Sequence, residues 1–352
     1  MKIPISLPQQ ADRDYMITID ALPTIKIEGK AAVVTNPKVA GLHLQRLLER
    51  VEANELYIVV VPDGEEYKTM ESIESILERL FDHRLDRKST LIAFGGGVIG
   101  DMTGFAASIF QRGIEFIQVP TTLLAQVDAS VGGKTGINNR FGKNLVGAFH
   151  QPSAVYIDTY WLGTLPRREF AAGVAEIIKM AVMFDERFFR WLETHDLNDE
   201  ESLKEAIRRS VELKAEVVNE DEKEKGVRAV LNYGHTFAHV IENFSGYGNY
   251  LHGEAVAIGM VMANELALAS GMFSEAEAER VKKLLLRYGL PVDYRIESAE
   301  RFYEQFFLDK KSHDNTITFI VPESIGRYRM LQAPDRELVL SVLRRFERGE
   351  ED

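Results

Sequence analysis

Three histidines and one glutamate carry the clearest chemical potential in this sequence. His235 and His239, in the run HTFAH, stand at i and i+4, so both imidazoles share one helix face at a spacing that can hold a metal. His252 follows beside Gly253, at the start of an apolar helical pattern. Glu176 sits inside the largely apolar stretch 170–184 (FAAGVAEIIKMAVMF), with Lys179 one turn on. A Glu and a Lys on an apolar helix are costly to bury unless they are paired or ligate something. Alone, such a pair is a structural salt bridge; beside three histidines it points to a Glu/His/His metal site. Spacing leaves open which two of the three histidines are ligands. There is no H-E-x-x-H, so a zinc-protease site has no support. The chain has no cysteine, so any metal must be held by imidazole and carboxylate.

A second group of residues suits phosphate. The strand-like run 89–94 leads into Gly95, Gly96, Gly97, Val98, Ile99, Gly100 and Asp101, followed by a helical pattern over 102–110. Glycines at this G-x-G-x-x-G spacing let the backbone approach a pyrophosphate, and the helix N-terminus offers N–H donors. The acid that the ordinary dinucleotide fingerprint wants about 20 residues on is absent; that region holds Thr121 and Thr122. The loop alone therefore competes with a plain strand–helix turn. A second loop, Pro62 to Lys68, also follows a strand-like run. Ligands of open α/β sheets bind beyond the C-terminal strand ends, so these loops together favour a nucleotide crevice. Residues 118–144 (QVPTTLLAQVDASVGGKTGINNRFGKN) are polar and without a sustained period, which predicts a long irregular segment with a functional role. Lys134 and Lys143 among its glycines and asparagines suit an anion. Arg112, Lys214, Arg228, Asn232 and the pair Lys310–Lys311 would each read singly as solvated surface groups. Gathered around one metal, they imply an anionic substrate.

The elements that must position these groups are legible as periodicity. Runs 31–35, 56–61, 89–94 and 114–119 are short and apolar, and helical patterns over 41–51 and 72–83 lie between them. That alternation predicts βαβ units and a parallel sheet. From about Trp161 helices dominate, over 170–184, 201–218, 231–244, 253–270, 274–288 and 336–347, with one β-like stretch at 315–322. The expected fold class is α/β: a Rossmann-like nucleotide-binding domain with a parallel sheet over 1–160, then a mainly α-helical metal- and substrate-binding domain over 161–352. A chain of 352 residues with 45% hydrophobic and 27% charged residues is of globular composition. The balance of 42 Lys+Arg against 54 Asp+Glu, net −12, disfavours nucleic acid as a partner. No apolar run reaches membrane-spanning length, and the first five residues lack an apolar signal core. The protein is expected to be soluble and cytoplasmic.

The motifs DGEEYK (63–68), GGGVIGD (95–101), QVPTTLLAQVDASVGGKTGIN (118–138), GKN (142–144), AEIIK (175–179), LNYGHTFAH (231–239) and HGEA (252–255) occur in this order. Together they resemble the 3-dehydroquinate synthase family of sugar-phosphate cyclases, across most of the chain. The resemblance implies NAD as a recycled cofactor and Zn2+, or Co2+ in its place. It implies conversion of 3-deoxy-D-arabino-heptulosonate 7-phosphate to 3-dehydroquinate and phosphate, a carbon–oxygen lyase step of the shikimate pathway that leads to aromatic amino acids. The implied sequence is hydride transfer from C5 to NAD, elimination of the C7 phosphate, return of hydride, and aldol ring closure. The implied metal ligands are Glu176, His235 and His252, which leaves His239 for proton transfer. NAD positions fall on Asp63, Gly64, Glu65, Glu66, Tyr67, Lys68, Gly97, Val98, Ile99, Gly100, Asp101, Thr121, Thr122, Lys134 and Lys143. They continue at Trp161, Leu162, Gly163, Thr164 and Leu165, where the run before Thr164 departs mildly from the family pattern. Asp128, Lys134, Lys179, Lys214 and His239 fall on catalytic positions. Asn144, Arg228, Asn232 and one of Lys310 or Lys311 fall on substrate positions. Alternative readings are another sugar-phosphate cyclase making a valiolone- or inosose-type ring, a metal-dependent polyol dehydrogenase, and a non-enzymatic nucleotide-binding scaffold. Lys134, Asn144, Lys214, Arg228, Asn232 and His239 argue against the other cyclases, which tend to alter carboxylate- and phosphate-binding positions.

Arg112 precedes the strand-like run 114–119, at the end opposite to where ligands of such sheets bind. The family resemblance nevertheless implies a substrate-phosphate contact for it, reached across a homodimer. Arg112→Ala is therefore expected to weaken substrate binding while sparing NAD and metal. Mixing it with inactive Lys134→Ala is expected to restore activity in mixed dimers, because one of the two sites then holds every group. Mixed dimers without recovery would show that Arg112 does not act in trans.

Overall fold

The computed structural model describes residues 14–246, 249–309 and 317–347; Lys310 and Lys311 lie outside them. Six strands form one parallel sheet: β1 (Met16–Ile19), β2 (Ile25–Thr35), β3 (Val51–Val60), β4 (Thr90–Gly95), β5 (Glu115–Pro120) and, after a hairpin of β6 (Lys134–Asn139) and β7 (Gly142–Phe149), β8 (Ala154–Ile157). Their order is β1-β8-β5-β4-β2-β3. Every pairing within this sheet is parallel, so the C-terminal strand ends share one edge. Helices α1 (Pro37–Leu48), α2 (Met70–Asp82) and α3 (Gly97–Ile109) connect them. Side chains set the starts of two of these helices. Asn36 accepts from Val39 N at 2.8 Å and Thr69 accepts from Ser72 N at 3.4 Å, which satisfies donors that a first turn leaves unpaired. The N-cap of α3 is Gly96, which brings no side chain to the first turn.

The remainder is helical, with α4 (Arg167–Phe184), α5 (Glu186–Thr194), α6 (Glu200–Glu220), α7 (His235–Ser245), α8 (His252–Ala269), α9 (Glu275–Arg287), α10 (Ala299–Asp309) and α11 (Arg336–Glu347), plus an antiparallel hairpin of β9 (Thr318–Ser324) and β10 (Arg327–Gln332). The α/β class with a parallel sheet and a helix-rich remainder is as the sequence predicts. Among the described residues, no helix is long and apolar enough to cross a membrane.

Two expectations need correction. The stretch 118–144 is not irregular: it contains the end of β5, a π-helical turn over Ala125–Ala129, β6 and the start of β7. Its period is hidden because glycines pair across the hairpin. A Cβ on Gly136 would come within 3.1 Å of the Gly147 Cα, so close strand approach takes the place of apolar alternation. The helix expected over 231–244 is broken: a 3-10 turn over Val227–Asn232 gives way to α7 through Gly234, whose φ is +79°.

That break lets α7 meet α8. A Cβ on Gly234 would stand 2.9 Å from Met260 N, and one on Gly259 would collide with Gly234 O. At the start of α8, a Cβ on Gly253 would collide with Ala172 O of α4. Helices approach so closely only where side chains are absent. The same contacts bring Glu176 of α4, His235 of α7 and His252 of α8 together. Gly259→Ala is expected to destabilise the fold by about 1–3 kcal/mol, the usual range for overpacking, and to weaken metal uptake. Gly41→Ala, whose Cβ meets nothing within 4 Å, is expected to do neither. Denaturant titration and metal titration of both variants check this.

Candidate active site

Helix α4 is buried at every position from Ala171 to Met183, which leaves Glu176 1% and Lys179 2% exposed. The Lys179 ammonium lies against Glu176 Oε2, while Glu176 Oε1 has no hydrogen bond. A buried carboxylate in that condition calls for a partner. His235 Nε2 lies 4.0 Å and His252 Nε2 3.8 Å from Glu176 Oε1. Each ring is also oriented from behind: His235 Nδ1 lies 3.1 Å from the Tyr233 carbonyl, and His252 Nδ1 lies 3.5 Å from Glu242 Oε1. Ligand atoms of Glu176, His235 and His252 all fall within 4.8 Å of one another. One carboxylate and two imidazoles fit a divalent metal of the catalytic zinc type. His239 lies one turn beyond His235, with ring centroids 5.9 Å apart, and does not belong to this group of three.

Next to the triad lies a set of alternating charges. The π-helical turn aims Asp128 at Lys214 of α6, whose ammonium donates to Asp128 Oδ1 at 2.7 Å and to the Asp128 carbonyl at 2.5 Å. Burial alone would raise the Asp128 carboxyl, but Lys214 and Lys179 hold it well below the usual carboxylate range. Burial presses Lys179 down, and Glu176 and Asp128 more than offset this. Lys214 is lowered by burial, with Asp128 only partly compensating beside Lys179 and Arg228. Arg228, 1% exposed, donates to the Gly132 carbonyl at 2.9 Å and to the Glu222 carbonyl. Lys134 pairs with Glu224, which also accepts from Asn232 Nδ2 at 2.9 Å. Glu224 holds a φ of +55°, a left-handed conformation that non-glycine residues rarely adopt.

The glycine loop, the Asp63–Lys68 loop and Thr121–Thr122 all follow strands at the C-terminal edge of the sheet. They are tied to one another. Thr121 N donates to the Gly95 carbonyl at 2.9 Å, and Thr122 Oγ1 accepts from Ala125 N at 3.2 Å. Lys68, 3% exposed, donates to Asp101 Oδ2 and to Asn144 Oδ1, each at 2.5 Å. Burial would lower Lys68, but Asp101 and Glu65 hold it above its ordinary value. The first turn of α3 has no side-chain cap, which leaves N–H groups of the kind that can take an anion.

The sequence-derived residues thus fall into two linked clusters, with three qualifications. Trp161 is 1% exposed and packs edge-on against Phe94 at 5.2 Å between centroids, as a core residue. Arg112 is exposed at the N-terminal end of β5 and makes no ion pair with any described residue. The strand's six residues, at ~3.3 Å each, set it about 20 Å from the crevice edge. Lys310 and Lys311 lie outside the described residues. Sequence reasoning also missed three groups. Asn36 caps α1 and donates to Asp63 Oδ1 at 2.8 Å; its signal was a strand end followed by proline. Glu224 gave no signal in the sequence. Glu242, 5% exposed and accepting from Lys143 Nζ at 2.9 Å, stands two turns after His235 on the same helix.

The model of the 3-dehydroquinate synthase N-terminal region matches residues 58–172, and that of the C-terminal region matches 173–312. The chain is 65% identical to the 3-dehydroquinate synthase of Nitratiruptor over 99% of its length and 100% of the relative's. The fold superimposes with a TM-score of 0.88 on the 2-epi-5-epi-valiolone synthase of Streptomyces hygroscopicus, solved with NAD+ and Zn2+ bound, at 26% identity over 98% of this chain and 99% of that one. It also matches a 2-deoxy-scyllo-inosose synthase solved with carbaglucose-6-phosphate, NAD+ and Co2+, at a TM-score of 0.78 and 25% identity over 90% and 91% of the two chains. With both regional models matched end to end and whole-chain identity of this order, the chain belongs to the 3-dehydroquinate synthase family.

Proposed function

We propose that this protein converts 3-deoxy-D-arabino-heptulosonate 7-phosphate to 3-dehydroquinate and phosphate, in the cytoplasm and as a homodimer. The observation that carries the reading is the juxtaposition of the Glu176/His235/His252 triad with the Asp128–Lys214–Lys179 cluster. Residues 1–160 serve as the dinucleotide domain and 161–352 as the metal and substrate domain. With NAD and Zn2+ or Co2+ bound, the site would supply reversible hydride acceptance and Lewis-acid polarisation of substrate oxygens.

The chain's own groups then have distinct tasks. Glu176, His235 and His252 hold the metal. The uncapped start of α3, the Asp63–Lys68 loop, Thr121, Thr122, Lys143 and the 159–164 turn hold the dinucleotide. Asp128, kept ionised by its lysines, accepts from a substrate hydroxyl, and Lys179 and Lys214 bind hydroxyl and carboxylate oxygens. Lys134, Asn144, Arg228 and one of Lys310 or Lys311 bind the phosphate, with Arg112 of a second copy completing that contact. For Lys134 this requires the substrate to replace Glu224 as the anionic partner, and Asn232, a further substrate contact, is released from Glu224 by the same exchange. His239, on the triad's own helix but outside the triad, moves a proton at the reacting carbons.

Incubation with the heptulosonate phosphate, catalytic NAD and Zn2+ is expected to release one phosphate per product without accumulating NADH, because hydride is borrowed and returned. A polyol dehydrogenase accumulates NADH with turnover, and a cyclase of the valiolone or inosose kind turns over sugar phosphates that lack the carboxylate; either result would sink the proposal. His235→Ala is expected to lose metal affinity by orders of magnitude. His239→Ala is expected to keep its metal and turn over about 100-fold slower or worse, the range for a lost proton-transfer group. Metal analysis and steady-state rates separate the two, and equal metal loss in both would show the ligand assignment to be wrong.

A further inference from the structure

Glu242 belongs to neither cluster described above and touches both. It lies on α7, 5% exposed, and its Oε1 atom stands 3.5 Å from His252 Nδ1 and accepts from Lys143 Nζ at 2.9 Å. Lys143 comes from β7, the strand whose Asn144 is bound to Lys68 at 2.5 Å. Lys68 in turn reaches Asp101 of α3. A chain of polar contacts therefore runs from the glycine-loop helix, through the hairpin and Glu242, to a ligand of the triad.

We propose that Glu242 is a positioning residue that couples metal binding to dinucleotide binding through His252 and Lys143. The inference rests on the metal and NAD sites assigned above. Its physical basis is the two-sided nature of imidazole. A carboxylate at Nδ1 favours the tautomer with the proton on that side and leaves the Nε2 lone pair facing Glu176. His235 gets the same orientation from a backbone carbonyl, which is fixed by the fold. His252 gets it from a side chain that is itself held by a lysine of another element. Ordering of the hairpin by a dinucleotide then fixes Lys143, which fixes Glu242, which presents His252. By linkage the effect is reciprocal, and a metal that holds His252 in place orders the hairpin for the dinucleotide.

The test is a Co2+ titration of metal-stripped protein, with and without saturating NAD+, read by the visible absorption of bound Co2+. Wild type, Glu242→Gln, Lys143→Gln and the double variant are compared. Glu242→Gln is expected to weaken Co2+ affinity about 10–100-fold, the usual cost of removing such a partner, and to change the Co2+ spectrum through His252. In wild type NAD+ is expected to tighten Co2+ binding at least about fivefold, the lower end of ordinary coupling. That factor is expected to fall to near one in each single variant and no further in the double. Wild-type affinity and spectrum in Glu242→Gln, or an undiminished NAD+ effect in both single variants, would overturn the proposal. Denaturation of the metal-free proteins reports folding, and if Glu242→Gln does not fold, the partly exposed Lys143→Gln decides through the coupling factor alone. Phosphate release by the same wild-type preparation is scored separately: coupling without phosphate release would sink the reaction and leave this inference standing. Wild-type protein that takes up no Co2+ would overturn both.

Discussion

A carboxylate with 1% exposure in the middle of an apolar helix is the constraint around which the structure is arranged. Removing an ion from water costs several kcal/mol even after relaxation, and Glu176 Oε1 has no hydrogen bond to offset that cost. Compensation comes from Lys179 at its side and from two imidazoles that face it from other helices. Lys179 is itself buried, and draws on Asp128, which draws on Lys214. Each charge is tolerable only because the next is present. The three helices that bring these groups together can approach only because glycine stands at their crossings, so backbone and electrostatics impose the same requirement.

The parts of the fold with strong periodicity were legible in the sequence. Strands β2 to β5 each contain a short apolar run and α4, α6, α8 and α9 keep their apolar rows, so their existence along the chain follows from pattern, whereas the strand order β1-β8-β5-β4-β2-β3 does not. Elements that escaped have physical reasons. Strands β1 and β8 are only four residues long, too short to establish alternation. Strands β6 and β7 replace packing side chains by facing glycines. Helix α7 starts later than its apolar pattern because Gly234 turns the chain at the crossing with α8.

The candidate site divides along the same line. The i, i+4 histidines and the acid in α4 could be read directly, but the choice among three histidines depends on how α8 docks, which no local pattern contains. Lys214, read from the sequence as a solvated group, is 5% exposed: it shares its helix row with Ile207, Ser210, Val211, Val217 and Val218, all buried, and residue type outweighed the row in that reading. Glu242 reads as an ordinary helical charge until His252 and Lys143 are placed beside it. Arg112 is the opposite case: topology alone puts it at the far end of its strand, and its exposure agrees with that placement.

The largest hydrophobic cluster does not respect the change from α/β to helical character. Leu123, Val127, Val155 and Ile157 from the sheet side share it with the buried faces of α4, α6, α7 and α8. A seam of this kind has no aqueous layer to part along, so separating the halves exposes core on both. The molecule should therefore melt as one cooperative unit. A ligand that grips only the strand loops, or only the triad, then stabilises the entire chain by mass action, and the concentration of either sets how long the whole protein survives heat or proteolysis.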